Sequence, residues 1–323
     1  METKKKSNKP KRIKIYYKNK TFINIMFYII IIIIYLPFCL FKRKNNSLRK
    51  LNFDNEITLK MKGSGEQYIV YQWGPTTPSQ IYVDGELQSS SGKTVDFGDT
   101  EVEKIITIKW DSPISNCNNL FFYLSNILEI DLSKFNSKSV TKMGGMFKGC
   151  SSLTSIIFGN FDTSLAEVMT GMFYGCSKLT SLNLNIFDTS KVTSMDNMFY
   201  QCINLEYLNL DNFETSNVKT TNSMFYDCKS LTTLDLSSFT TSAVTNMASM
   251  FQNCNSLISL NLNNFDTFQV TAMNLIFYGC SSLISLNINS FYTVNVTGSH
   301  DLFTNIGTDL ILCVDPQKAT TIS

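Results

Sequence analysis

Six cysteines, Cys150, Cys176, Cys202, Cys228, Cys254 and Cys280, stand 26 residues apart without a slip. A fixed period of that length means one supersecondary unit copied end to end, each copy burying its apolar face only against its neighbours. The chain is therefore constrained to a solenoid before any other residue is read. Other columns keep the same step. Phe121, Phe147, Phe173, Phe199, Phe225, Phe251, Phe277 and Phe303 form one, and Phe135, Phe161, Phe187, Phe213, Phe239, Phe265 and Phe291 a second, neither with a gap.

Each unit divides into two parts. Leu179, Leu182 and Leu184, repeated as Leu205, Leu208 and Leu210, end in an alternation that puts leucines on one side and Ser181, Asn183 and Asn185 on the other, which predicts a short strand. Val192, Met195, Met198, Phe199 and Cys202 recur at offsets of 0, 3, 6, 7 and 10, a helical spacing. One coil is thus expected to be a short parallel strand, a turn at Asp188-Thr189-Ser190 and a helical or 3-10 return, an α/β repeat of leucine-rich-repeat type.

The unit from Phe187 to Leu210, F-D-T-S-K-V-T-S-M-D-N-M-F-Y-Q-C-I-N-L-E-Y-L-N-L, resembles the 26-residue repeat of BspA-type leucine-rich-repeat surface proteins, a repeat also known from mycoplasma surface lipoproteins. The resemblance runs from about Ile114 to Val314. It implies a leucine-rich-repeat-like solenoid and, for function, surface display with adhesion to host or neighbouring-cell proteins. Fold does not determine function, so the second implication is the weaker.

Charge separates the chain into unlike regions. Residues 1–50 hold 14 of the 28 Lys and Arg residues and one acid, Glu2, so residues 51–323 carry 14 bases against 25 acids and are net negative by 11. An acidic array repels a polyanion, which argues against nucleic acid as a partner. Residues 22–41 form an apolar run with only Asn24 clearly polar, long enough at ~1.5 Å per residue to cross a ~30 Å hydrocarbon layer. Its end, Leu36-Pro37-Phe38-Cys39-Leu40-Phe41, lacks the small residues of a cleavage site. The expectation is a retained transmembrane signal anchor with residues 1–21 as a basic cytoplasmic tail, 42–51 as a basic juxtamembrane linker and the repeats outside the cell. Secretion after cleavage is the alternative.

Residues 52–113 lack the period. Alternating runs at Ile57 to Met61, Tyr68 to Tyr71, Ile81 to Val83 and Ile105 to Ile108 predict strands, and Asp84-Gly85 predicts a tight turn. A small β-rich domain that caps the first coil is expected, since an open solenoid end exposes core and strand edges. The repeats then occupy 114–314 and a tail 315–323.

No column carries catalytic chemistry. There is no G-x-S-x-G, P-loop or H-E-x-x-H, and the single histidine, His300, stands in a variable column with Thr170, Asp196 and Asn222. No enzyme activity, cofactor or metal is expected. Stacked cysteines would be near enough for disulfides, but the column continues as Leu124 and Ile306, so buried reduced thiols are the favoured reading. The methionine columns, such as Met195 and Met198, read as core, and the threonine column from Thr163 to Thr293 as turn and helix-capping oxygens. What remains is the outward side of the strands. Its rows are polar and rich in amides, interrupted by Ile157 and Tyr207, and the candidate ligand-binding face is Ile157, Asn183, Tyr207, Asn209, Asp235, Asn261 and Asn287. The expected function is a displayed binding or adhesion scaffold for an extracellular protein or glycan. The rival is a structural coat or spacer.

Overall fold

Two left-handed residues in every coil decide the architecture. The structure, a computed structural model, describes residues 55–319, which lie within one compact unit, Phe53–Ser323. Asn119, Gly145, Gly171, Asn197, Ser223, Ser249, Leu275 and Asp301 all have φ between 54° and 61°. Four residues further on, Tyr123, Gly149, Gly175, Gln201, Asp227, Asn253, Gly279 and Asn305 are also left-handed. A right-handed helix cannot pass through such positions. The expected helical return is therefore corrected: among the described residues no segment is helical, and the repeats form a β-solenoid.

Backbone hydrogen bonds show what replaces the helix. The amides of Met195, Asn197, Phe199 and Gln201 donate to the carbonyls of Thr220, Asn222, Met224 and Tyr226 in the next coil, at 3.1, 2.9, 2.9 and 2.7 Å. Those of Met198, Tyr200 and Cys202 donate instead three residues back, to Met195, Asn197 and Phe199. Successive tight turns bring residues three apart to one side, so they imitate helical spacing while half their amides hold the neighbouring coil. A second ladder starts this return, with seven parallel bridges joining Asn116, Lys142, Val168, Ser194, Thr220, Asn246, Ala272 and Gly298 in an unbroken series.

On the opposite side, the strands β7 (Ile127–Asp131), β8 (Ser155–Ile157), β9 (Ser181–Asn183), β10 (Tyr207–Asn209), β11 (Ser259–Asn261), β12 (Ser285–Asn287) and β13 (Ile311–Cys313) are short and pair in groups. β7 pairs with β8, β9 with β10, and β12 with both β11 and β13, all parallel. Residues 233–235 form no strand. The gap between β8 and β9 coincides with Phe158, which stands where the next four coils have leucine and packs edge-on against Phe187, 5.1 Å between ring centres.

Between the faces lies an interior of buried, mostly apolar side chains. The first phenylalanine column stacks from Phe121 to Phe303 at 5.5 to 6.0 Å between ring centres. Each cysteine of the column is free and buried, and its thiol donates to the carbonyl of a phenylalanine one coil earlier, as Cys202 does to Phe173 at 3.1 Å. Burial pushes the Cys202 thiol up to about 12. The threonine column also differs from its expected capping role. Thr189 Oγ1 accepts from the Glu214 amide at 2.8 Å and donates to the Glu214 carbonyl at 2.9 Å, and Thr163, Thr215 and Thr267 repeat the pattern. These buried hydroxyls staple one coil to the next.

At the N-terminal end, β1 (Glu56–Gly63), β3 (Gln80–Val83), β4 (Glu86–Ser89) and β6 (Val102–Lys109) form an antiparallel sheet, with β2 (Glu66–Tyr68) paired to β5 (Thr94–Asp96) beside it. Asp84 and Gly85, both with positive φ, make the two-residue turn between β3 and β4. β1 runs antiparallel to β7, so the free edge of the first coil is covered by backbone pairing. Trp110 packs edge-on against Phe135, the first ring of the second phenylalanine column. Glu56 receives Lys109 and Lys134 at 2.8 and 2.6 Å. Burial works to raise this carboxyl, but the two ammonium groups outweigh it and hold it below its ordinary value.

The single-pass membrane placement with an N-terminal anchor is also corrected. Among the described residues no helix is long and apolar enough to cross a membrane, because their apolar side chains sit on short strands and turns facing the solenoid interior. The expected span at 22–41, with its flanks 1–21 and 42–51, lies outside the described residues.

Candidate functional site

The seven candidate residues all belong to the strand side, and the alternation of the strands turns them outward while Leu182, Leu208, Leu260 and Leu286 point in. The pairing gathers them into three groups. Ile157 lies opposite Asp131; Asn183 lies opposite Asn209, with Tyr207 opposite Ser181; and Asn261 lies opposite Asn287. Asp235, in the stretch without a strand, lines a shallow hollow of about 320 Å³ together with Thr233, Ser259 and Asn261. The face is thus interrupted between β8 and β9 and again around 233–235.

Five of the seven already have structural work. The side-chain oxygen of Asn183 accepts from the Asn185 amide at 3.1 Å, and Asn209, Asp235, Asn261 and Asn287 each accept from the amide two residues on, at 2.9 to 3.2 Å. These are Asx turns, which end the strands at Asn183, Asn209, Asn261 and Asn287. The amide and hydroxyl of Ser237 hold the Asp235 carboxyl below its ordinary range. Ile157 cannot make such a turn. Two residues after it the chain has Gly159 at φ 58°, where an added Cβ would lie 2.5 Å from Ser133 Cα. Ile157 and Tyr207 are 56% and 55% exposed, large apolar surfaces in polar rows. The Asn209 amide approaches the Tyr207 hydroxyl at 3.5 Å.

Chemically the face offers amide N–H groups, hydroxyls and two large apolar side chains. Asp235 is its one acid among the seven, and no cation faces it from that set. Among the described residues no group of three histidines, cysteines or carboxylates is placed to hold a metal ion. His300 sits on the surface 3.2 Å from the Asp301 carboxylate.

One feature of this side escaped the sequence reading. Just before the serine row the column runs Thr154, Thr180, Glu206, Thr232, Ile258, Ile284, Leu310, so its last members are apolar, and Ile258 and Ile284 are 45% and 50% exposed. The change from polar to apolar down one column was the available signal.

Residues 96–206 and 201–309 each match a family described as Mycoplasma protein of unknown function, DUF285. Together the two matches span about two thirds of the chain, and the first takes in β6 as well as the opening coils. No curated protein matches.

Proposed function

This chain belongs to that Mycoplasma family, and we propose that it is a non-catalytic binding or adhesion scaffold for protein or glycan ligands. The observation that carries the proposal is the exposure of Ile157 and Tyr207 in mostly polar rows of the strand side, with Ile258 and Ile284 exposed in the column beside them. Large exposed side chains standing among small polar ones supply the desolvated contacts that dominate binding energy. The likeness of the unit from Phe187 to Leu210 to BspA-type surface repeats supports the same reading. A solenoid also presents many weak contacts in fixed register, so a long ligand gains by engaging several coils at once.

A second reading has its own support. Because Asn183, Asn209, Asp235, Asn261 and Asn287 already spend an oxygen on turns, the polar rows also suit a plain structural spacer. The two readings separate when the full-length protein is measured by biolayer interferometry against immobilised matrix proteins and glycans, beside a Tyr207→Ala, Ile157→Ser variant of matched melting temperature. A scaffold that uses this face loses about tenfold or more in affinity in the variant. Equal affinity removes this face from the binding function, and no binding to any surface favours the spacer.

A further inference from the structure

The left-handed column Tyr123, Gly149, Gly175, Gln201, Asp227, Asn253, Gly279, Asn305 contains the only adjacent pair of glycines in its series. In other coils the column tolerates Gln, Asp and Asn, so the backbone conformation by itself does not demand glycine here. Gly149 has a packing reason. A Cβ there would lie 2.6 Å from Tyr123 Cδ1, so the Tyr123 ring can lie against the backbone only because that side chain is missing. Gly175 has none, for its Cβ would meet nothing nearer than Gly149 Cα at 3.7 Å. The hollow over Gly175 is open space that packing does not require.

That hollow is a notch of about 520 Å³, within the ~300–1,000 Å³ of small-ligand sites. Tyr123, 56% exposed, forms one wall. Tyr174 is stacked between the Lys148 ammonium, 4.3 Å from its ring centre, and the Tyr200 ring at 4.5 Å, so it offers the notch an edge rather than a face. Along the floor, Ser125, Ser151 and Ser177 repeat at the 26-residue step and line the notch, and Ser177 Oγ donates to the Ser151 carbonyl at 3.2 Å. The far end is closed by Gln201 and by Asp227, whose carboxylate is buried, takes the Asn253 amide at 2.9 Å and lies 3.7 Å from the Lys229 ammonium.

We propose that this notch is a saccharide-binding site for one or two neutral sugar rings, with Tyr123 as the stacking wall. A pyranose has an apolar C–H face and a rim of hydroxyls, and the notch pairs an exposed aromatic ring with hydroxyl, amide and carboxylate groups at its floor and end. Among the lining residues Asp227 has Lys229 beside it, and Lys148 is engaged on the Tyr174 ring, so the lining offers no surplus cation of the kind that phosphate or carboxylate ligands require. The site is distinct from the Ile157 and Tyr207 face. It gives the binding-scaffold reading a substrate class while resting on separate residues.

The test uses the full-length protein and three probes, maltose, lactose and N,N′-diacetylchitobiose, in saturation-transfer NMR. At least one sugar is expected to receive saturation on its ring C–H protons. Tyr123→Phe should bind like wild type, Tyr123→Ala should weaken binding about tenfold or more, and Gly175→Asn, a residue that the left-handed conformation accepts, should abolish it by filling the notch. Melting curves establish that the variants are folded, and if Gly175→Asn is not, Tyr123→Ala alone decides. The proposal is overturned if none of the three sugars receives saturation, or if a folded Tyr123→Ala or Gly175→Asn binds within twofold of wild type. The Tyr207→Ala, Ile157→Ser variant should retain the sugar signal. Loss of matrix-protein binding in that variant with no sugar binding in wild type would sink the notch and leave the scaffold reading standing.

Discussion

The two sides of the solenoid are built from the same repeat and held together very differently. On the return side, an unbroken run of bridges from Asn116 to Gly298 and alternating inter-coil amides join each coil to the next. On the strand side, pairing stops after β8 and again around 233–235. The return side needs unusual backbone, two left-handed residues per coil, and in exchange places the phenylalanine, methionine and cysteine columns inside. Cohesion in this array therefore comes mainly from the turns, and the strand side is left free to vary its outward residues at little cost to folding.

Thiol labelling should separate the sides most sharply. Cys313 lies exposed on β13, whereas the six cysteines beneath the return side are buried and donate to phenylalanine carbonyls. Their labelling by an aromatic disulfide reagent should require unfolding and run at least about 10³-fold slower than that of Cys313, given ordinary domain stabilities. Mass mapping of early label onto Cys202 or Cys228 would contradict a closed return side.

Cavity formation comes next. Phe199→Ala removes a ring stacked between Phe173 and Phe225 and should cost about 3–5 kcal/mol in denaturant unfolding. The inter-coil staple ranks below it: Thr189→Val leaves the Glu214 amide and carbonyl without their side-chain partner and should cost about 1–3 kcal/mol. Asn209→Ala on the strand side breaks one exposed Asx turn and should cost no more than about 1 kcal/mol. If Asn209→Ala proved as damaging as Thr189→Val, the difference in cohesion between the two sides would be refuted.

The smallest effect concerns pH at the capped end. Because the folded Glu56 carboxyl is held below its ordinary value of 4.5, its contribution to stability is present above that value and is lost as pH falls through the lower folded value. The difference in melting temperature between wild type and Glu56→Gln should shrink from neutral pH towards pH 3. Lys109 and Lys134 are substantially exposed, so the difference is modest throughout and weakens with salt. A constant difference over that range would mean that the ion pairs do not couple β1 and β6 to the first coil.

Much of this protein was legible from spacing alone. The 26-residue step required a solenoid, and the gapless phenylalanine, methionine and cysteine columns required a shared interior, because only stacked copies can bury them. The alternation Leu182-Asn183-Leu184 likewise determined which strand residues face out. What the tertiary structure alone decided is the conformation of the return and the work of its polar residues. Offsets of 0, 3, 6, 7 and 10 fit a helix and a run of tight turns equally well, and the choice lay in backbone angles at columns such as Asn197 and Gln201, whose Gly, Asn and Asp content hinted at it. Thr189 could equally have capped its own turn, and only the register of adjacent coils set its hydroxyl between the Glu214 amide and carbonyl. The notch beside Tyr123 has the same origin: two glycines are unremarkable along the chain, and become a cavity only when stacking sets Gly175 beside Gly149 and lays the Tyr123 ring across the opening coil.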